Sequence, residues 1–173
     1  MFDNFKYDIK RYARGSSFDP YLLFEQGLWA IGVYRFGRLA RRIKIPFVGF
    51  LIRFLAFLFF KIIEMTTGIS IPASAEIGKG FYVGHFGGIV LHSDVKMGEN
   101  CSIGPGVLIG TRGLGNKGVP VLGNNVYIGV GAKVLGGIKL GDNVKIGANA
   151  VVVSNIPAGS TAVGIPARIV QKN

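Results

Sequence analysis

The sequence is poor in the residues that build metal and redox sites. It has one cysteine and two histidines in 173 residues, and only nine Asp and Glu against twenty Lys and Arg. A single cysteine excludes a disulfide framework and fits a reducing compartment. Two histidines, with no paired cysteines, no His-Glu-x-x-His and no P-loop lysine pattern, leave too little for a metal centre, and none is expected. Charged residues make up 17% and apolar residues 49%, which excludes a disordered chain and allows one well-filled domain with at most a small appended unit. The amino terminus, Met1-Phe2-Asp3-Asn4-Phe5-Lys6, lacks the basic-then-apolar layout of a secretory signal, so a cytoplasmic location is expected. The shortage of acid leaves a net charge of +11. Such a field favours anionic partners: nucleic acid, anionic lipid or a phosphate-rich cosubstrate. Neither an aromatic platform nor a recognition-helix motif is present, so nucleic acid is not expected.

What is abundant is glycine, with 27 residues. No G-X-Y period accompanies it, which excludes collagen. Six glycines precede residue 71 and twenty-one follow, so the composition changes near Gly68. Residues 1–68 read as a helical part. Over 21–42 the stripe Leu22, Gln26, Trp29, Val33, Phe36 and Ala40 has helical spacing, and Arg35, Arg38, Arg41 and Arg42 gather in the last turns, where cations suit the helix dipole. Pro46 breaks or restarts the helix. Residues 47–63 are the most apolar stretch, but Arg53 interrupts them short of the ~20 apolar residues of a spanning helix. Two readings stay open for this segment: burial against the rest of the protein or another subunit, or peripheral membrane contact with Lys44, Arg53 and Lys61 at the headgroups.

Residues 69–173 repeat with period six. Leu122, Ile128, Val134, Leu140, Ile146 and Val152 stand six apart, each followed four residues later by Val126, Ala132, Ile138, Val144, Ala150 or Ile156. Glycine follows the lead aliphatic at 123, 129, 141 and 147. Earlier turns of the pattern are Ile71, Ile77 and Val83, then Leu91, Met97, Ile103 and Ile109. A sustained six with an inward aliphatic predicts a triangular prism of short strands, the hexapeptide form of the parallel β-helix, with glycine at the corners. Spacing alone does not give its hand. The pattern is broken twice, by two extra residues around Gly84-His85-Phe86-Gly87-Gly88 and by seven in the loop Thr111–Pro120. Insertions on one face of a repeat protein commonly mark its binding face.

His85 in the first break is a candidate general base at neutral pH. His92 reads as a surface residue. Arg112, Lys117, Lys133, Arg168 and Lys172 are cations suited to phosphate. Cys101 falls at an inward repeat position and is expected to be inert.

At this point the residues resemble a family. Ile69–Gly80, Gly84–Val90, Gly129–Gly136 and Val163–Val170 are similar to serine acetyltransferases, and a weaker likeness continues into Leu22–Ala30 and Tyr34-Arg35. The resemblance implies a left-handed β-helix, a homotrimer, and acetyl-CoA bound between neighbouring subunits. It puts His85 at the general-base position. It implies that Gly110, Thr111 and the Gly131-Ala132 corner lie along the pantetheine arm, with Ala148, Asn149, Arg168 and Lys172 nearer the nucleotide, and Arg112 is counted with these cosubstrate-binding residues. Three departures point the acceptor away from serine. Gly84 stands where the family has an aspartate; Gly118-Val119-Pro120 replaces Arg-His-Pro; and the helical part is short, without the tail that docks on the next enzyme of cysteine synthesis. The loop Gly110–Gly113 and the apolar helix look instead like colanic-acid-type acetyltransferases of polysaccharide assembly.

The reading is a mainly β protein, a left-handed parallel β-helix behind a short α-helical part, acting as an acetyl-CoA-dependent O-acetyltransferase with a sugar hydroxyl as acceptor. L-serine is the alternative acceptor, and a non-catalytic membrane-associated trimeric scaffold is the alternative from another class.

Overall fold

The computed structural model describes residues 2–13, 20–113, 115 and 117–170. Three helices come first: α1 (Phe2–Tyr12), α2 (Gln26–Ala40) after a 3-10 turn at Pro20–Phe24, and α3 (Pro46–Thr67). From Ile69 onward the chain consists of strands of two or three residues wound into a prism.

One side of the prism stacks β1 (Ile69–Ser70), β4 (Ile89–Leu91), β7 (Leu108–Gly110), β10 (Lys133–Leu135) and β13 (Val151–Val152). The second stacks β2 (Glu76–Ile77), β5 (Lys96–Met97), β8 (Val121–Leu122) and β11 (Lys139–Leu140). The third stacks β3 (Tyr82–Val83), β6 (Ser102–Ile103), β9 (Tyr127–Ile128), β12 (Lys145–Ile146) and β14 (Thr161–Val163), closed by the antiparallel β15 (Arg168–Val170). Each strand in the coils pairs in parallel with one in the next coil, and the lead aliphatics fall in register, as at Val83, Ile103, Ile128 and Ile146. This is a left-handed parallel β-helix. Its core is the column the period anticipates: Ile103, Ile109, Ile128, Val134, Ile146 and Val152 are at most 1% exposed.

The glycines after the lead aliphatics do a different job from the one expected. A Cβ on Gly123 would lie 2.8 Å from the Asp142 amide nitrogen, and one on Gly129 2.8 Å from that of Ala148. They permit the closest approach of stacked coils. Left-handed corners fall instead to Asn100, Asn125, Asn143 and Asn149, with φ of 56–60°, and to glycines such as Gly106 and Gly131. Asparagine tolerates this region better than other side-chain-bearing residues do, which is why the corners were not all legible as glycine.

The first coil of a solenoid has an unpaired edge that must be covered. α1 and α2 cover it with polar side chains. The Tyr12 hydroxyl donates to the Val83 carbonyl (2.9 Å) and accepts from the Val83 N–H (3.0 Å). Tyr34 does the same between the Ala75 carbonyl (2.9 Å) and the Ile77 N–H (3.1 Å). Asp8 accepts from the Phe81 N–H at 2.8 Å and is paired in two bonds with Arg35, which also donates to the Ile77 and Gly78 carbonyls. Burial pushes the pKa of both tyrosine hydroxyls up, so they stay neutral and able to donate.

The stripe expected for 21–42 is corrected by this arrangement. The inward face of α2 carries Gly27, Leu28, Ile31, Tyr34 and Arg35, while Trp29 is 43% exposed. Arg35 answers the buried Asp8 rather than the helix dipole. Tyr34 and Arg35 are drawn inward because the open coil presents carbonyls and amides, which an all-apolar face could not satisfy.

Pro46 restarts the chain at the first turn of α3, and Gly68 ends the helix in a left-handed cap, its N–H donating to the Glu64 carbonyl at 3.0 Å. α3 buries only Gly49, Ala56 and Thr67. Burial of 47–63 within its own chain is therefore corrected: Phe47, Phe50, Phe54, Phe57 and Ile62 are each half or more exposed.

Candidate active site

One edge of the prism, where the chain enters the β1 side, is a ladder of close backbone contacts. The Gly87 N–H donates to the Thr67 carbonyl, the Gly106 N–H to the Gly87 carbonyl, the Gly131 N–H to the Pro105 carbonyl and the Asn149 N–H to the Val130 carbonyl, all at 2.8–2.9 Å. Gly68, Gly87, Gly88, Gly106, Gly131 and Asn149 all have positive φ along this edge. The two-residue break thus bulges out at the top of a glycine-lined edge. His85 sits on that bulge, exposed, and its imidazole has no hydrogen-bond partner among the described residues. Gly87 faces open space, since an added Cβ would meet nothing within 4 Å.

The structure brings several of the anticipated residues to this edge. Gly131 and Asn149 stack in successive coils, so closely that a Cβ on Gly131 would lie 2.1 Å from the Asn149 Oδ1. Ala148 is exposed beside them. Ala132 is fully buried, and its N–H and carbonyl are taken by Gly129 and Leu108. Its methyl packs the core, so only its neighbour Gly131 faces outward. Lys133 donates its Nζ to the Gly106 carbonyl, tying a cation to the same edge.

Gly110, Thr111 and Arg112 lie at the other edge of the β1 side, where the long loop leaves the prism. Gly110 is buried at the end of β7 and accepts from the Gly136 N–H at 2.9 Å; Arg112 is exposed, its Cβ packed near Gly136. His92 stands beside Gly110, half-buried, its Nδ1 accepting from the Asp94 N–H at 3.2 Å. Arg168 is exposed on β15, and Lys172 lies outside the described residues. The positions near His85 and those near Thr111 are thus on two edges of one chain, separated by the width of the three-residue strands between them.

Cys101 is buried, its Sγ donating toward the Gly123 carbonyl at 3.3 Å, and burial pushes its thiol up to about 11. It is neither exposed nor nucleophilic at neutral pH. Among the described residues no three His, Cys, Asp or Glu side chains converge.

Sequence reasoning missed the support behind His85. Tyr12 holds Val83 and Asp8 holds Phe81, two and four residues ahead of the imidazole. The signal was present: Asp8, Arg11 and Tyr12 stand at i, i+3 and i+4 on one helix, a polar stripe where an apolar one is usual. Arg11 completes it, donating to the Gly80 and Asn100 carbonyls and to Ser102 Oγ.

A stacked six-residue solenoid with an exposed histidine at its broken corner is the architecture of a hexapeptide-repeat acyltransferase. Residues 120–154 match the family model described as bacterial transferase hexapeptide (six repeats). A serine acetyltransferase of Helicobacter pylori strain J99 is 39% identical over 153 residues, covering 88% of this chain and 85% of that protein. The chain belongs to the serine acetyltransferase family. Two solved structures are similar throughout. Serine acetyltransferase of Brucella abortus strain S19 in complex with coenzyme A has a TM-score of 0.84 and 26% identity, over 99% of this chain and 68% of that one. That of Neisseria gonorrhoeae in complex with serine has a TM-score of 0.80 and 30% identity, over 98% and 69%.

Proposed function

We propose that this acyltransferase moves an acetyl group from acetyl-CoA to the hydroxyl of L-serine, with His85 as general base. The observation that carries the reading is the exposed imidazole on the short bulge of a solenoid whose chain matches a serine acetyltransferase over 88% of its length. A sugar hydroxyl, the acceptor favoured by the loop and the apolar helix, has no counterpart among these relatives. Serine, the second reading of the sequence, takes its place.

The imidazole takes the proton of the serine hydroxyl as that oxygen attacks the thioester carbonyl carbon. The tetrahedral intermediate collapses with cleavage of the C–S bond, and the coenzyme thiolate recovers the proton from the imidazolium. O-acetylserine and coenzyme A leave. Burial keeps Cys101 a protonated thiol at neutral pH, which favours this direct transfer over an acyl-thiol enzyme. Gly110, Thr111, Arg112, Gly131, Ala148, Asn149 and Arg168 are assigned to the cosubstrate, Ala132 by position alone. The two candidate edges of one chain are complementary halves of a site if neighbouring subunits of a homotrimer face each other across it. Val90, Val121 and Tyr127, 40–49% exposed, one on each prism side, and Val130 at a corner, leave apolar surface for such packing.

The test follows thiol release from acetyl-CoA with L-serine and with a panel of nucleotide sugars and oligosaccharides. His85→Ala is expected to lose about 10²–10⁴ of the serine-dependent rate. Undiminished turnover in the variant rejects His85 as the base, and turnover on sugars but not on serine rejects the acceptor.

A further inference from the structure

We propose that the outer face of α3 is a docking surface for an anionic lipid bilayer, on which the helix lies in the interface. The inference is independent of the acceptor and of the role of His85.

The helix is 22 residues long, and only the narrow stripe Gly49, Ala56 and Thr67 is buried. The remaining circumference is apolar and open, with Phe47 79%, Phe50 63%, Leu51 55%, Phe54 50%, Phe57 53% and Ile62 50% exposed. A water-facing surface of this kind is unusual on a soluble protein and calls for a cover.

Charge decides which cover. From Gln26 to Ile63 the chain carries seven Lys and Arg and no Asp or Glu. Arg35 is spent on the buried Asp8, Arg38 donates to the Ser74 and Ala75 carbonyls, Arg53 donates one of its N–H groups to the Ile43 carbonyl, and Lys61 is paired with Glu64. Arg41, Arg42 and Lys44 are exposed at the amino-terminal end of α3, next to Ile45 and Phe47, and Arg53 is exposed a turn and a half further on. The one carboxylate of α3, Glu64, is already held by Lys61 and Ser70 at the opposite end of the helix, so a second copy docked through the same face has no free carboxylate on α3 to offer those cations. Anionic headgroups supply what is missing, and phenylalanines beside basic residues are the composition of an interfacial helix.

Two further features agree. A cleft of about 290 Å³ between α2, α3 and the first coil is lined by the apolar Phe57, Phe60 and Ile71 together with Arg41 and Arg53, a combination suited to one lipid tail and its phosphate. The helix passes the length and composition of a membrane span, but α2 is packed along it and its carboxyl end runs directly into β1. That arrangement places the helix on the membrane rather than through it.

The experiment is vesicle flotation of the full chain with phosphatidylcholine vesicles and with vesicles containing about a third phosphatidylglycerol. Binding is expected with the anionic vesicles only, and to fall at least tenfold in 0.5 M NaCl. Phe54→Glu with Phe57→Glu should abolish it. Arg41→Glu, Arg42→Glu and Lys44→Glu together should weaken it at least tenfold. Those side chains are exposed, so circular dichroism and thermal melting should match wild type. Equal binding to both vesicle types, binding unchanged in either folded variant, or no flotation at all overturns the proposal. So does a wild-type oligomer that dissociates in the phenylalanine variant without any vesicle binding, which would assign the face to a second copy.

Discussion

Replacing Arg35 by methionine tests the idea that helices α1 and α2 hold the first coil in place. Arg35 is 6% exposed and Asp8 is 0% exposed. Their pairing uses two bonds, of 2.8 and 3.1 Å, while Arg35 also supplies donors to the Ile77 and Gly78 carbonyls at 2.8 and 2.6 Å. Methionine fills similar space but leaves a buried carboxylate with only the Phe81 N–H, and strands both carbonyls. Breaking one side of a buried ion pair costs about 3–5 kcal/mol, a large part of a typical folding free energy. Asp8→Asn in the same background removes the stranded charge, so the double variant should recover part of the loss, with a coupling energy of about 1–3 kcal/mol. Urea denaturation followed by circular dichroism, at one fixed protein concentration, measures all four corners of the cycle. An Arg35→Met variant within about 0.5 kcal/mol of wild type, or strictly additive single changes, would refute the reasoning.

Two other expectations concern the solenoid. Gly129→Ala drives its Cβ to 2.8–2.9 Å from the backbone of the next coil and should cost about 3 kcal/mol; Gly131→Ala meets only the movable Asn149 side chain and should cost about 1–2 kcal/mol for its positive φ. Thermal denaturation of the pair reads the order, and its reversal would remove the stacking role of the post-aliphatic glycines. The Cys101 thiol, raised by burial to about 11, contributes stability that is present below the unfolded value of about 8.5 and is lost as pH climbs toward about 11. The advantage of wild type over Cys101→Ala should therefore shrink between pH 8 and pH 10.5 in parallel urea titrations, while serine-dependent turnover at pH 7.5 survives the substitution.

The solenoid was legible because its rule is local: one inward aliphatic every six residues fills a core that each coil shares only with its neighbours. Both breaks in that rule, around His85 and at Thr111–Pro120, could be counted directly. The helical part was less legible, because a stripe search looks for apolar residues and this interface is built from Asp8, Tyr12, Tyr34 and Arg35. Which part of Ala132 faces outward was not legible for a related reason, since period alone does not tell an inward methyl from an outward backbone. Local departures such as Gly84 point toward a sugar acceptor, whereas likeness over 88% of the chain supports the serine reading. By itself the sequence determined the prism, its interruptions and the exposed candidate base, since each follows from spacing along the chain. Only the tertiary structure decided that the break around His85 crowns the edge running through Gly131 and Asn149, that polar helices close the first coil, and that α3 stands uncovered. Those are relations between residues far apart in sequence, set by which coil stacks on which and by where unpaired backbone groups find partners.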